Sequence, residues 1–348
     1  MPSTALVMSP TITVALGAGK TAATLRWAIS ISGTFGMERK SLGTTGTSLR
    51  EDLSRKFEAF AEGLLLIHNN REFGMEGYPD IRTVDYWLDG NTAERFPQSR
   101  TVCSHNKADG FERRLELYLM ENFRHAFDME SYVYYTQVMQ AEVLSAAYRL
   151  WRREWRGKGR EYTAGALVWQ INDCWPTTSW AIVDYFLRPK PAFFAVAREL
   201  APFTVGMARK DVQTKEDKHS DAKFKIEQTL EIWGNNSAHT EKQCTLDVVA
   251  FDLHEGVVVE KITQDVTLAA NSSTEFWRGL VPGQIVRKKL SEVPKTIVVG
   301  ARLIDSDGSV LARYGKQLRF LCRVMPDIGL LQPTGPNHGS TSNSRIPS

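Results

Sequence analysis

Residues 165–180 bring aromatic and polar side chains together directly after an apolar run. The run 165–171 predicts a buried strand, and Trp169, Trp175 and Trp180 lie at its end and beyond, interleaved with amide and carboxylate residues. Polar groups at the C-terminal end of a strand lie where barrel enzymes keep their chemistry. Flat aromatic faces beside amides and carboxylates suit a sugar, which has apolar C–H faces and a rim of hydroxyls.

Each residue of this cluster has a functional and a structural interpretation. Trp169 is interpreted as a sugar platform rather than a core aromatic, whereas the two interpretations are balanced for Trp175 and Trp180. Asp173 either contributes to binding or caps a turn and fixes a neighbouring group. No set of His, Cys, Asp and Glu with metal-ligand spacing occurs in the chain, so the sequence predicts neither a metal nor a cofactor.

A second candidate, Glu72, lies upstream in Arg71-Glu72-Phe73-Gly74. By composition alone it is an ordinary surface glutamate before a turn-rich segment. His105, in His105-Asn106-Lys107, is interpreted as a loop residue or as one that supports a site from behind.

Composition argues against several classes of partner. The chain has 348 residues, 42% hydrophobic and 24% charged, which is ordinary for globular proteins. A net charge of +3 without a dense Lys/Arg stripe argues against nucleic acid and against an anionic membrane. No apolar run is long enough to span a bilayer, and no secretory signal pattern opens the chain. Four widely separated cysteines favour reduced thiols and a cytoplasmic protein, although sequons at Asn235 and Asn271 argue weakly the other way.

Periodicity and turn residues divide the chain into parts. Helices are predicted over 53–67, over 80–88 with Asp80 as a cap, over 109–156 with a break near 127–130, and over 190–200. The second helix of 109–156 is predicted to bury one face, formed by Val138, Ala141, Leu144, Ala147, Tyr148 and Trp151. After Pro202, short alternating segments separated by turns, including Asn235-Asn236, predict an antiparallel sandwich, and the charged stretch 210–221 is predicted to be an exposed loop.

Several motifs in this order resemble one enzyme family. They are Glu72-Phe73-Gly74-Met75-Glu76-Gly77-Tyr78-Pro79, His105-Asn106-Lys107-Ala108-Asp109-Gly110, the cluster Trp169–Trp180, Glu231-Ile232-Trp233-Gly234 and Leu290-Ser291-Glu292-Val293-Pro294. Together they resemble the β-mannosidases of glycoside hydrolase family 2, of the fungal intracellular type. The resemblance covers residues 71–320 approximately, and it is specific because separate motifs agree in order.

The resemblance implies a fold that combines an α/β part with an all-β part. Residues 71–201 would form the C-terminal part of a (β/α)8 TIM barrel, its last two strands and their helices. Residues 202–325 would form an immunoglobulin-like β-sandwich, and 326–348 a disordered tail. Residues 1–70 stay unassigned, since they are too few for the remaining βα units of about 30 residues each and look unrelated to the family.

The resemblance also implies roles for individual residues. The family's nucleophile is a Glu in a Ser-Glu-Phe/Tyr-Gly motif at the end of the seventh barrel strand, which matches Glu72. The residues before Glu72 depart from the family pattern, and no segment matches the family's acid/base Glu. The substrate-binding residues implied at the same mouth are Trp169, as the floor of the sugar subsite, with Asn172, Asp173 and Trp175.

Three functions follow as hypotheses. The first is retaining hydrolysis of terminal non-reducing β-D-mannose residues, with a β-mannoside oligosaccharide as the substrate. The second is a catalytically inactive fragment that binds sugar or a partner, because the acid/base Glu is not found. The third is another family 2 specificity, such as β-galactosidase or β-glucuronidase, although Trp169-Gln170-Ile171-Asn172-Asp173 favours mannose. No oligomeric state is predicted.

Overall fold

A computed structural model describes residues 7–8, 12–13, 72–108, 111–123, 128–160, 163, 165–217, 220–289, 292 and 294–316. The predicted helix 53–67 and the predicted disordered tail 326–348 lie outside the described residues. Near the N-terminus, β1 (Val7–Met8) and β2 (Ile12–Thr13) form an antiparallel pair.

The part of the chain from 72 to 200 is mainly helical. Its helices are α1 (Ile81–Leu88), a short 3₁₀ helix (Thr92–Glu94), α2 (Arg100–Ser104), α3 (Phe111–Asn122), α4 (Met129–Glu154) and α5 (Pro191–Glu199). The predicted cap of the first helix is confirmed, because the Asp80 carboxylate accepts a hydrogen bond from Arg82 N at the start of α1. Pro191 opens α5, where the missing N–H costs nothing.

Helix α4 organises this part of the molecule. Asp128 caps it by accepting from Ser131 N, and the break before it confirms the predicted division of 109–156 into two helices. The predicted apolar face is buried except for Val138, which is half-buried. Tyr148 and Trp151 on that face meet the ring of Phe73 edge-on, at centroid distances of 5.2 and 4.5 Å. The face therefore packs directly on the strand that follows Arg71.

Two short parallel strands lie against α4. Strand β3 (Glu72–Phe73) pairs with β4 (Leu167–Val168), with Glu72 beside Leu167 and Phe73 beside Val168. The predicted adjacency of these two strands is confirmed, although β4 is shorter than the predicted strand 165–171. Two parallel strands do not by themselves make a barrel, so the barrel stays a prediction.

The part of the chain from 203 to 316 is a pair of antiparallel sheets. Its strands are β5 (Phe203–Asp217), β6 (Ser220–Asn236), β7 (Lys242–Asp252), β8 (Val257–Leu268), β9 (Ser272–Leu280), β10 (Ile297–Ile304) and β11 (Val310–Lys316). The sheets have the orders β5-β6-β9 and β11-β10-β7-β8. A shared core that includes Met207, Ile232, Leu246 and Val299 joins them. The predicted antiparallel sandwich is confirmed, and it arises from the alternation of buried and exposed residues along β7 and β10.

Two local predictions in the sandwich were wrong. Where the structure describes the charged stretch 210–221, it is not a loop: residues 210–217 belong to β5 and 220–221 to β6, and Lys210 pairs with Thr229 and Lys215 with Phe224. Val212 and its neighbours up to Lys215 are exposed. The charged residues therefore predicted exposure to solvent correctly, but the backbone of this stretch is a paired strand. Asn235 and Asn236, predicted as a turn, are the last two residues of β6 and pair with β9.

Arginines at the C-terminal end of α4 join the helical part to the sandwich. Arg149 forms a buried ion pair with Glu199 at 2.7 Å, and its guanidinium lies 4.0 Å from the ring centroid of Tyr314. Arg153 bonds to Glu231 and Glu275, at 2.8 and 2.7 Å, and lies over Trp233. In the part of the chain that the structure describes, no helix is long and apolar enough to cross a membrane.

The contact between β3 and β4 gives a first prediction. A Cβ atom added to Gly74 would lie 2.1 Å from the carbonyl oxygen of Trp169, which is backbone and cannot rotate away. We expect Gly74→Ala to lower the free energy of unfolding by about 1–3 kcal/mol, as over-packing does. Urea unfolding measures the change. Gly300→Ala is the matched control, since its Cβ would meet nothing nearer than 3.9 Å. Equal midpoints for the two variants would contradict the prediction.

Candidate functional site

The Trp169–Trp180 segment leaves β4 and folds back on itself. Trp169 N donates to Phe73 O at 2.6 Å, so the segment begins beside β3, the strand that carries Glu72. The Trp169–Gln170 peptide bond is cis. Ile182 N then donates to Gln170 O, and Val183 N to Ile171 O, at 3.1 and 2.8 Å. The two ends of the segment are therefore held side by side, next to β3.

The three tryptophans of the cluster lie in different environments. Trp169 is partly buried and packs against the helical core. Trp180 is 1% exposed and belongs to that core, which favours its structural interpretation. Trp175 is 37% exposed and lies at the surface. The cluster therefore presents one tryptophan openly to solvent and uses another one for packing.

Asp173 is held from three sides. Its side chain is fully buried and accepts from Lys107 Nζ at 2.7 Å, from Ser179 Oγ at 2.8 Å and from Gln170 Nε2 at 3.2 Å. Both carboxylate oxygens are thus occupied by partners within the protein. Asn172, its neighbour, is exposed, and its Nδ2 donates weakly to Asp173 O at 3.4 Å. The geometry favours a bracing role for Asp173 and leaves Asn172 accessible.

The backbone register brings the Glu72 segment next to this cluster. Glu72 lies beside Leu167, two residues before Trp169, and Phe73 beside Val168. Further along, Gly77 N donates to Ser179 O at 3.0 Å. The predicted nucleophile position and the predicted sugar platform are therefore on neighbouring strands, although their catalytic and binding roles stay predictions.

Two glutamines of α4 brace these segments, and Gln140 was missed from the sequence. Gln140 is fully buried, and its Nε2 lies 2.8 Å from Met75 O and 3.2 Å from the carbonyls of Trp180 and Ala181. Gln137 Nε2 donates to Tyr78 O and to Pro79 O at 3.1 and 3.0 Å. A polar residue at a position that helical spacing assigns to the core face is the sequence signal for such a brace.

Lys190 is a second residue that sequence reasoning missed. It precedes α5, is almost fully buried, and donates from Nζ to Gly77 O at 2.8 Å, with Ser179 O at 3.5 Å. Burial lowers the pKa of Lys190 to about 8, although the charges of Asp173, Glu76 and Asp184 oppose this shift. Lys190 thus joins the segment after β3 to the segment after β4 through their carbonyl groups.

His105 and the aromatic residues of α4 are also located in the structure. His105 follows α2, and its ring lies 5.6 Å from that of Trp175, which agrees with a supporting position. Tyr135 stacks on Phe123 at 4.9 Å, and Tyr134 is exposed. Among the described residues, no group of three or more His, Cys, Asp and Glu side chains is arranged to hold a metal ion.

Comparison with known proteins shows which proteins this chain is similar to. Residues 228–316 match the family model described as "Mannosidase Ig/CBM-like domain". β-Mannosidase B of Thermothelomyces thermophilus is 47% identical over 250 residues, and that of Aspergillus terreus is 42% identical over 244; each alignment covers 70% of this chain. The chain is a relative of the β-mannosidases. The resemblance predicted from its motifs is confirmed.

This chain corresponds to only part of those relatives. It spans 29% of the Thermothelomyces β-mannosidase and 28% of the Aspergillus terreus protein. Among solved structures, β-D-mannosidase from Dictyoglomus thermophilum superposes with a TM-score of 0.56 at 25% identity, over 71% of this chain and 26% of that one. An exo-chitosanase from Amycolatopsis orientalis, at 15% identity, 71% and 27% coverage and a TM-score of 0.50, shares the fold.

The bonds of Asp173 give a second prediction. We expect Asp173→Asn to lower the free energy of unfolding by about 1.5–3 kcal/mol, because charge-assisted hydrogen bonds in a buried site are lost. Chemical denaturation of the purified chain measures this. Asn172→Ala is the control, and its exposed side chain predicts a change within about 0.5 kcal/mol. A neutral effect of Asp173→Asn on stability would remove the case for bracing and favour direct contact with a ligand.

The burial of Lys190 gives a third prediction, with a defined sign. The unfolded chain keeps this proton up to about pH 10.5, whereas the folded chain releases it near pH 8, so the unfolded state binds more protons between these values. The contribution of Lys190 to stability therefore rises with pH across this window, by up to about 3 kcal/mol.

The measurement is the difference in unfolding free energy between the wild type and Lys190→Met, taken at intervals across that pH window. Substitution by methionine removes the titrating group at similar volume, so the wild type should gain stability relative to Lys190→Met as pH rises. Lys158→Met, at an exposed position, should give a difference that is constant with pH. A constant difference for Lys190→Met as well would show that the lysine titrates normally in the folded protein.

Proposed function

We propose that this chain carries the nucleophile-bearing end of a retaining β-mannosidase of glycoside hydrolase family 2, together with its following sandwich domain. The reaction would be hydrolysis of terminal non-reducing β-D-mannose residues in β-D-mannosides. In this proposal β3 and β4 are the last two strands of a (β/α)8 barrel, and their C-terminal ends form the mouth of the site. Relatives named β-mannosidase B support the assignment over 70% of the chain.

One observation carries the proposal. The parallel pairing of β3 with β4 puts Glu72 on the strand next to the one that leads into Trp169. A retaining glycosidase needs a carboxylate beside the anomeric carbon and a platform for the sugar ring that holds it there. Both residue types lie on neighbouring strands of the same parallel pair, within the region shared with the relatives.

The proposed chemistry is a double displacement. The Glu72 carboxylate attacks the anomeric carbon as the glycosidic bond breaks, and a second carboxyl group protonates the leaving oxygen. Water then attacks the glycosyl-enzyme ester, and the second group, now a carboxylate, removes its proton. Retaining enzymes hold the two carboxyl groups about 5–5.5 Å apart. The motifs of this chain identify no residue for the second carboxyl group.

The open part of the tryptophan cluster would hold the sugar. Trp175, which is exposed, would offer a ring face to apolar C–H groups, Trp169 would form the partly buried floor, and the Asn172 amide would offer a donor and an acceptor to hydroxyls. Asp173, whose oxygens are bonded to Lys107 and Ser179, would act by fixing the loop rather than by touching the sugar.

A second candidate function is sugar binding without hydrolysis. The buried carboxylates described near this mouth already have partners. Asp173 is braced by Lys107, Asp184 accepts from Thr83 Oγ1 at 2.5 Å and from Arg188 N at 2.9 Å, and Glu76 is buried within charge range of Lys190. None of these is placed as a solvent-facing acid/base group, which favours a binding module for the chain on its own.

A fourth prediction separates these functions. If the chain is an enzyme on its own with Glu72 as its nucleophile, it hydrolyses p-nitrophenyl β-D-mannoside, and Glu72→Gln lowers kcat by at least about 100-fold, because the nucleophile is lost while the shape is kept. Release of p-nitrophenol measures the rate. Glu255→Gln, an exposed glutamate in the sandwich, is the matched control and should leave kcat unchanged.

The other outcomes are equally informative. A chain without turnover that still binds β-1,4-mannobiose in calorimetry supports the binding module and refutes autonomous catalysis. A preference for p-nitrophenyl β-D-galactoside or β-D-glucuronide would replace mannose by another family 2 specificity. Turnover that survives Glu72→Gln would remove Glu72 from the mechanism.

A further inference from the structure

The ring of His105 contacts two tryptophans. It stacks on Trp87 with centroids 4.7 Å apart and planes inclined by 21°, and it meets Trp175 at 5.6 Å with planes inclined by 42°. Trp87 is 8% exposed, whereas Trp175 is 37% exposed. The three rings therefore form one contiguous group that connects a buried residue of α1 to the surface.

Hydrogen bonds attach the same histidine to the residues that follow Trp175. His105 Nδ1 lies 2.9 Å from Pro176 O, and because a carbonyl oxygen only accepts, Nδ1 carries the hydrogen in this bond. The His105 carbonyl in turn accepts from Thr178 N at 2.7 Å and from Thr177 Oγ1 at 2.8 Å. One residue thus contacts four consecutive positions, 175–178, through its ring, its Nδ1 and its carbonyl group.

We propose that His105 is a positioning residue that sets the orientation of the Trp175 ring at the sugar-binding surface. The use of that surface for a sugar rests on the proposed function, whereas the fixing of Trp175 by His105 does not. His105 itself would not touch the sugar; it would act through Trp175.

The physical need for such a residue follows from the exposure of Trp175. An aromatic ring that stacks on a sugar must be ordered before the sugar arrives, because ordering it during binding reduces the affinity. Its chain neighbour Cys174 is also exposed. The contact with the His105 ring and the bond from His105 to Pro176 O supply this order.

A double-mutant cycle tests the proposal. Binding of β-1,4-mannobiose is measured by calorimetry in the Glu72→Gln background, which prevents turnover. We expect His105→Ala to weaken binding by about 2- to 10-fold, the range for loss of one aromatic pair. In a Trp175→Ala background the same change should have no further effect, because the residue through which His105 acts is already removed. Equal losses in both backgrounds would overturn the proposal, since they indicate a general structural effect.

An emission measurement decides the case even if the chain binds no sugar. Subtracting the fluorescence spectrum of Trp175→Phe from that of the parent isolates Trp175 emission. We expect His105→Ala to shift this difference spectrum towards that of a solvated tryptophan and to increase its quenching by acrylamide. An unchanged difference spectrum would overturn the proposal, whereas a changed spectrum without mannobiose binding would refute the proposed function and leave the positioning role standing.

Two conservative variants guard against misfolding. His105→Phe keeps a flat ring beside Trp87 and Trp175 but loses the bond to Pro176 O, and His105→Asn keeps a donor but loses the ring. If His105→Ala does not fold, the cycle and the emission measurement are carried out with these two. The proposal requires each variant to shift the Trp175 emission part of the way towards that of a solvated tryptophan; wild-type emission in both would overturn it.

Discussion

Two irregular backbone segments, 74–80 and 169–184, are packed into the helical part of the molecule, and their polar groups need hydrogen-bond partners there. Burial of an unpaired carbonyl costs about 1–3 kcal/mol, and short strands such as β3 and β4 leave most of these groups outside a sheet. Side chains supply the missing bonds. Gln140 serves the carbonyls of Met75, Trp180 and Ala181, and Lys190 serves that of Gly77. The candidate site depends on this bonding, because its proposed sugar-binding residues lie on the segment 169–184 and Glu72 lies on β3, directly before the segment 74–80.

Helix α4 contacts both of these segments and the sandwich. Its N-terminal half holds the segment after β3 through Gln137 and Gln140, and its C-terminal half holds the sandwich through Arg149, Arg152 and Arg153. Arg152 donates to Ala201 O at 2.8 Å and to Ser237 Oγ at 2.7 Å, so it also fixes the link between the two domains. A single rigid helix therefore relates the sandwich to the candidate site, although sandwich residues are not among those found at the site.

The parts of the structure that were predicted from the sequence are those governed by local rules. Asp80 caps and Pro191 opens their helices, and the alternation along β7 and β10 produces strands, because each depends on neighbouring residues. Residues 210–221 were misread because charge reports solvent exposure and not backbone pairing. Lys190 and Gln140 were missed for a different reason. Each bonds to carbonyls that are distant in sequence, and a carbonyl group belongs to every residue, so no residue type marks the partner.

Residues 169–180 contain more side chains of the types that bind sugars than a ligand can reach. Trp180 and Asp173 are buried and bonded or packed within the protein, whereas Asn172 and Trp175 remain open. Residue types that bind sugars also make good braces, since an indole fills a core and a carboxylate gathers several donors. Which role each one takes is decided by its burial and by the bonds that it makes within the protein. A sequence motif alone therefore indicates a candidate site, and the burial and bonding of each side chain decide which of its residues are open to a ligand.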